Sequence, residues 1–170
     1  MKETERQQIF DSWLDQRRAL LFKVVRAYAF TAADQDDLFQ EIVIQVWRSI
    51  PNFSRQSAVT TWLYRIALNT ALAWNRKEHK HQKGRQDLDH SASFLLEPTG
   101  SADPRLEWLY EQIARLNEVD RSLMLLLLDG FSYRDMSNIL GISESNVGVK
   151  INRIKKHLVN QSKIESDDGI

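Results

Sequence analysis

Apolar residues recur along this chain at three- and four-residue steps and nowhere in a strict alternation of useful length, so the pattern predicts helices and no strands. Phe10, Trp13, Leu14, Leu21, Val24, Val25 and Tyr28 mark one face of a helix from about Arg6 to Phe30. A second helix is expected from Asp34, which can cap it with Asp37 three residues on, to Ile50. There Leu38, Phe39, Ile42, Val43, Ile44, Val46, Trp47 and Ile50 cover nearly the whole circumference, leaving Gln40, Glu41, Gln45 and Arg48 polar. That is more apolar face than one small domain needs to bury. Either this helix is central to its bundle, or part of it is an interface for another protein.

Pro51 stops the second helix, and Asn52, Phe53, Ser54, Arg55, Gln56 and Ser57 form a polar loop with one aromatic. A third helix, Val59 to Lys80, mixes Trp62, Tyr64 and Trp74 with Arg65, Asn69, Asn75, Arg76 and Lys77. Aromatic faces stack on unpaired bases and cations follow the backbone, so the mixture suits single-stranded DNA. Trp62, Ile66, Leu68 and Leu72 fit an ordinary core equally well. From about His81 to Asp103 the periodicity collapses and Gly84, Pro98, Gly100 and Pro104 appear among Ser and Asp, which reads as a flexible linker. The expected fold is all-α, with two small helical domains over residues 6–80 and 104–160 joined through 81–103.

The second domain holds the most informative pattern. Ser132 can cap a helix in which Met136, Ile139 and Leu140 share a face, and Gly141 ends it with a left-handed turn. Ile142 plugs the gap, and Ser137 is small enough to permit close approach. Ser143 can then cap a helix whose buried stripe is Val147, Ile151, Ile154 and Leu158. This reads as a helix-turn-helix, the plainer alternative being an amphipathic helical hairpin. Its outer face carries Ser143, Ser145, Asn146, Val149, Lys150 and Arg153, with Lys155 and Lys156 beyond and no acid between Val147 and Gln161. Polar residues early in such a helix reach base edges, and later cations neutralise phosphates.

Composition narrows the function class. The 170 residues carry 23 basic and 23 acidic side chains and no cysteine. No disulfide scaffold, thiolate metal site or cysteine nucleophile is available. The charged start, Met1 to Gln8, lacks the apolar core of a signal peptide, and the run Leu123 to Leu128 is far short of the roughly 20 residues that span a bilayer, so the cytoplasm is expected. Neutral net charge argues against tight unaided binding to nucleic acid, which draws on a positive excess. His79, His81, His90 and His157 lack metal-site partners, and helix capping explains Asp34, Asp36 and Asp37 more simply than a metal. No catalytic residue, metal or cofactor is assigned.

Three blocks in order carry a resemblance: Asp34 to Trp47 (DQDDLFQEIVIQVW), Thr60 to Asn69 (TTWLYRIALN) and the helix-turn-helix. Together they resemble bacterial sigma factors of the extracytoplasmic-function group over nearly the whole chain. The resemblance implies a subunit that binds core RNA polymerase and selects promoter DNA. It implies that Asp37, Gln40, Glu41, Ile44 and Arg48 grip the polymerase core. Asn52, Phe53, Ser54, Arg55, Trp62, Arg65, Asn69, Arg76 and Lys77 would recognise and melt the −10 element, the loop holding an extruded base, and the second domain would read the −35 element. The apolar second helix is a natural surface for an anti-sigma factor as well. Neutral charge follows, because two weak readers tethered to one polymerase gain effective concentration. Gly148 and Val149 stand where the family carries a basic and a small polar residue. Gly148 would let the backbone approach a phosphate, and Val149 would meet a thymine methyl. The alternative is an autonomous helix-turn-helix regulator of duplex DNA, although no dimerisation or effector domain is recognisable in the chain. An interaction module without DNA contact would not need the basic face.

Overall fold

The computed structural model describes the backbone of residues 1–82 and 103–167. The linker expected over 81–103 therefore lies almost wholly outside the described residues. Among those described, every regular element is helical, as the apolar periodicity predicts, and the chain divides into two units, Met1–Ser101 and Ala102–Ile170.

In the first unit α1 (Glu3–Tyr28), α2 (Ala32–Ser49) and α3 (Val59–Gln82) each pack against the other two. Leu21, Val24, Val25 and Tyr28 meet Leu38, Ile42 and Val46 and the group Leu63, Tyr64, Ala67, Leu68 and Ala71, all fully or almost fully buried. Each buried aliphatic contributes about 1.5–3 kcal/mol, set against the entropy of ordering the chain. The start of α2 differs from the sequence expectation. Thr31, not Asp34, is the cap, and its Oγ1 accepts the Asp34 backbone N–H at 3.1 Å. Asp34 lies inside the first turn, where its carboxylate faces the positive helix end. The threonine hydroxyl satisfies an orphan amide, and the helix begins at Ala32, three residues earlier than an Asp34 cap implies. Pro51 does not simply stop α2; it opens a 3₁₀ turn over Ile50–Asn52 whose Ile50 is buried.

The crowded circumference of α2 is resolved by α1. Phe39 stacks on Phe22 (4.7 Å between centroids, 5° between planes), and Trp47 takes the edge of Phe10 at 5.2 Å. The Arg6 guanidinium lies 4.2 Å from the Trp47 ring centroid while its Nε and Nη2 donate to the Trp47 carbonyl at 3.1 and 2.6 Å. Apolar positions that seemed surplus are thus spent inside the unit, and α2 is both central and open along one narrow stripe.

In the second unit α5 (Glu118–Leu128) is the central element: Asp120 to Leu126 are buried without a break. This explains an apolar run with no helical period. Ile113 of α4 (Pro104–Arg115), Met124, Ile154 and Leu158 form a core cluster flanked by half-buried Leu109, Tyr110, Leu116 and Leu127. The buried Arg121 Nη2 donates to the carbonyls of Ala114 at 2.8 Å and Leu116 at 2.9 Å, closing the end of α4 against α5. α6 (Tyr133–Leu140) and α7 (Glu144–Asp167) complete the unit. α7 runs past Leu158 as far as Asp167. Trp108 Nε1 donates to Glu165, and Gln112 Nε2 reaches its other oxygen at 3.5 Å, so α4 holds the end of α7. Asp168 lies outside the described residues.

Candidate nucleic-acid and polymerase interfaces

The turn between α6 and α7 is built by small hydrogen bonds. Ser132 Oγ accepts the Asp135 N–H and Ser143 Oγ accepts the Asn146 N–H, both at 3.1 Å, so each helix has the cap expected of it. Gly141 sits at φ 70°, ψ 29°, and its N–H donates to the Ser137 carbonyl at 2.9 Å. Ser137 does more than make room. Its hydroxyl donates to the Ile142 carbonyl at 2.6 Å and ties the turn to α6. With Met136, Ile139, Val147, Ile151 and Ile154 buried, the opposite face of α7 is the one turned outward.

That face presents Ser143, Ser145, Asn146, Val149 and Arg153, all exposed, with Val149 at 64%. Lys155 and Lys156 are exposed too. Lys150 is half-buried. An acid that linear reading missed stands beside it: Asp120 of α5 lies 3.8 Å from Lys150 Nζ and 3.7 Å from Arg153 Nη2. No sequence signal joins position 120 to the α7 cations, because only the packing of α5 on α7 makes them neighbours. A Cβ at Gly148 would lie 3.6 Å from Cε2 of Tyr133, an ordinary van der Waals contact, so the open side of this glycine faces α6.

On α3, Arg65, Asn69, Arg76 and Lys77 are exposed. With half-buried Trp62, the first three fall within about 60° of arc at 3.6 residues per turn, so spacing alone makes one stripe of them. Tyr64 is fully buried, and Trp74 lies on another face. In the preceding loop Asn52, Ser54 and Arg55 are exposed, and Arg55 holds φ 58°. That left-handed conformation costs a residue bearing a Cβ roughly 1–2 kcal/mol. Phe53 is not a free loop aromatic: its ring meets Trp13 edge-on at 5.1 Å and Trp62 at 5.4 Å. Trp62 Nε1 donates to Ser49 Oγ at 3.2 Å, and that hydroxyl donates to the Val46 carbonyl at 2.8 Å. The aromatics brace the loop between α1, α2 and α3 and leave its polar residues outward.

On α2 the open stripe is Asp37, Gln40, Glu41, Ile44 and Arg48, at the i, i+3, i+4, i+7 and i+11 positions of one face. Ile44 is 44% exposed, an isolated apolar residue among polar ones. Gln45 Nε2 donates to Glu41 Oε1 at 3.1 Å, which steadies the edge of the stripe.

Two family models match these units in order: sigma-70 region 2 over residues 10–81 and sigma-70 region 4 over residues 106–158. The chain is a sigma-70 factor of the extracytoplasmic-function group. This sigma factor is 29% identical over 140 residues to the ECF RNA polymerase sigma-E factor of Haemophilus influenzae, covering 75% of this chain and 74% of that one. It is 26% identical over 140 residues to the RNA polymerase sigma factor YlaC of Bacillus subtilis, covering 79% and 81%. Its fold is shared with the sigma factor RpoE of Bartonella quintana, solved with the anti-sigma factor NepR, at a TM-score of 0.72 and 21% identity over 92% of this chain and 98% of that one. As a sigma factor it works with RNA polymerase in promoter-directed transcription initiation, and the autonomous-regulator alternative falls away. No helix of the described residues is long and apolar enough to cross a membrane. Among those residues, no group of three or more His, Cys, Asp or Glu side chains could hold a metal ion.

Proposed function

We propose that this sigma factor divides its work among the three open helix faces just described. The α2 stripe of Asp37, Gln40, Glu41, Ile44 and Arg48 binds the polymerase core. Asn52, Ser54 and Arg55 in the loop, with Arg65, Asn69, Arg76 and Lys77 on α3, take the −10 element as it opens, and Trp62 and Phe53 hold that surface in shape. On α7, Ser145, Asn146 and Val149 meet base edges, while Ser143, Lys150 and Arg153 contact phosphates. Residues 6–80 and 104–160 are the two working domains, and 81–103 tethers them. The chain supplies recognition and no catalytic step of its own, and it acts in the cytoplasm with the polymerase. An anti-sigma factor, of the kind bound to the Bartonella neighbour, is its further partner. Covering the α2 stripe would keep it from polymerase.

The observation that carries this reading is the α2 stripe: α1 covers Phe39 and Trp47, yet Ile44 stays bare among four exposed polar residues. An apolar residue within a polar rim suits a protein-binding patch, and the sigma-70 region 2 match over residues 10–81 supports that use here. The test is a fluorescence anisotropy titration of labelled protein with bacterial core RNA polymerase, beside the double variant Gln40→Ala, Ile44→Ala. Tight saturable binding, weakened at least tenfold in the variant at unchanged helix content, is expected. Equal binding by both proteins would remove α2 from the polymerase interface.

A further inference from the structure

Asp120 is an unusual neighbour for a DNA-reading face. It is buried, with 8% of its side chain exposed, yet it carries a carboxylate toward the flank of α7 that holds Lys150 and Arg153. One oxygen, Oδ2, accepts from Asn117 Nδ2 at 2.8 Å, and the Asp120 N–H donates back to Asn117 Oδ1 at 3.0 Å. The other oxygen, Oδ1, has no hydrogen-bond partner among the described residues. The cations stand at 3.7 and 3.8 Å, beyond hydrogen-bond reach, so they are held by charge alone. Asn117 and the N-terminal turn of α5 already satisfy part of the carboxylate, and neither depends on α7.

A phosphate offers these cations what Asp120 does not, a charge-assisted hydrogen bond at about 2.7–2.9 Å. A phosphate that draws Lys150 or Arg153 away leaves Asp120 buried and less compensated, and it also approaches a fixed negative charge. Both effects oppose phosphate capture wherever the DNA does not supply further contacts. We propose that Asp120 is a positioning residue that restrains Lys150 and Arg153 and weakens binding of the second unit to arbitrary duplex DNA, so that binding depends on contacts a correct sequence adds. The proposal rests on the assignment of α7 as the DNA-reading helix and deepens it.

The test uses the full chain and a labelled duplex of mixed sequence, titrated by fluorescence anisotropy across a potassium chloride series. Asp120→Asn keeps the shape and the acceptor for Asn117 but removes the charge. It is expected to bind several-fold tighter at low salt, with a log–log salt slope steeper by roughly 0.9, the value of one additional phosphate neutralised. Asn117→Ala weakens the same helix start with no change of charge and should leave the slope alone. If Asp120→Asn keeps the parent affinity and slope while Lys150→Ala, Arg153→Ala loses affinity, the restraint is overturned and α7 remains the reader. If Asn117→Ala shifts the slope as much as Asp120→Asn, the effect is one of helix stability and the proposal also fails. Should the double alanine variant bind as the parent does, both the restraint and the α7 assignment fall.

Discussion

At Gly148 an added methyl would meet the Tyr133 ring at 3.6 Å, an ordinary van der Waals contact, inside a helix where glycine costs about 1 kcal/mol relative to alanine. Gly141 is the opposite case: a methyl there would meet nothing within 4 Å, but the backbone stands at φ 70°. The two glycines therefore answer one substitution with opposite signs. Gly148→Ala should stabilise the protein by about 0.5–1 kcal/mol, and Gly141→Ala should destabilise it by about 1–2 kcal/mol, read as shifts of the urea midpoint for loss of helix. An unstable Gly148→Ala would mean that Tyr133 cannot accommodate the methyl. A turn glycine is announced by its neighbours, whereas what a mid-helix glycine faces depends on another helix.

The element scale is clearest in α2, where residues two positions apart have different duties. Ile42 is fully buried and Ile44 is 44% exposed. Ile42→Ala should cost about 2–5 kcal/mol of stability through lost transfer energy and the cavity left behind. Ile44→Ala should stay within about 0.5 kcal/mol of the parent, and its loss should appear in polymerase affinity. Denaturant melts and the polymerase titration, run on both variants, separate these effects. A large stability loss at Ile44 would place it in the core and withdraw it from the interface. The periodicity of α2 could not make this distinction, since Phe39, Val43, Ile44 and Trp47 look equally spare in one dimension. Phe22, Phe10 and Arg6 decide which of them are covered, and they come from α1.

For the whole molecule, the relevant fact is that each unit closes its own core, Leu38, Ile42, Leu63 and Leu68 in the first and Ile113, Met124, Ile154 and Leu158 in the second. A site-specific protease cleavage introduced between residues 83 and 102 should then leave the helix content in place. If 81–103 acts as the proposed tether, cleavage should also reduce promoter binding by the reconstituted holoenzyme by about 10²-fold or more, through the lost effective concentration. Circular dichroism and promoter binding before and after cleavage check both halves of this expectation. Collapse of helix content on cleavage would show that the units depend on each other for stability, and undiminished promoter binding would show that the tether contributes nothing.

What the sequence determined by itself was local or periodic. The caps Ser132 and Ser143, the turn at Gly141, the buried stripe of α7 and the exposed stripe Arg65, Asn69 and Arg76 follow from residue type and 3.6-residue spacing, which act within one or two turns of chain. The cap at Thr31 was within reach of the same reasoning, and Asp34 drew the assignment only because aspartate is the stronger capping residue. Tertiary structure decided the rest. It packed Phe53 against Trp13 and Trp62 so that the rings brace the loop, and reduced the surplus apolar face of α2 to Ile44. It also set Asp120 against Lys150 and Arg153, across a sequence gap that no helical period spans. Periodicity reports which residues share a face of one helix, and burial and charge pairing depend on which other helix meets that face.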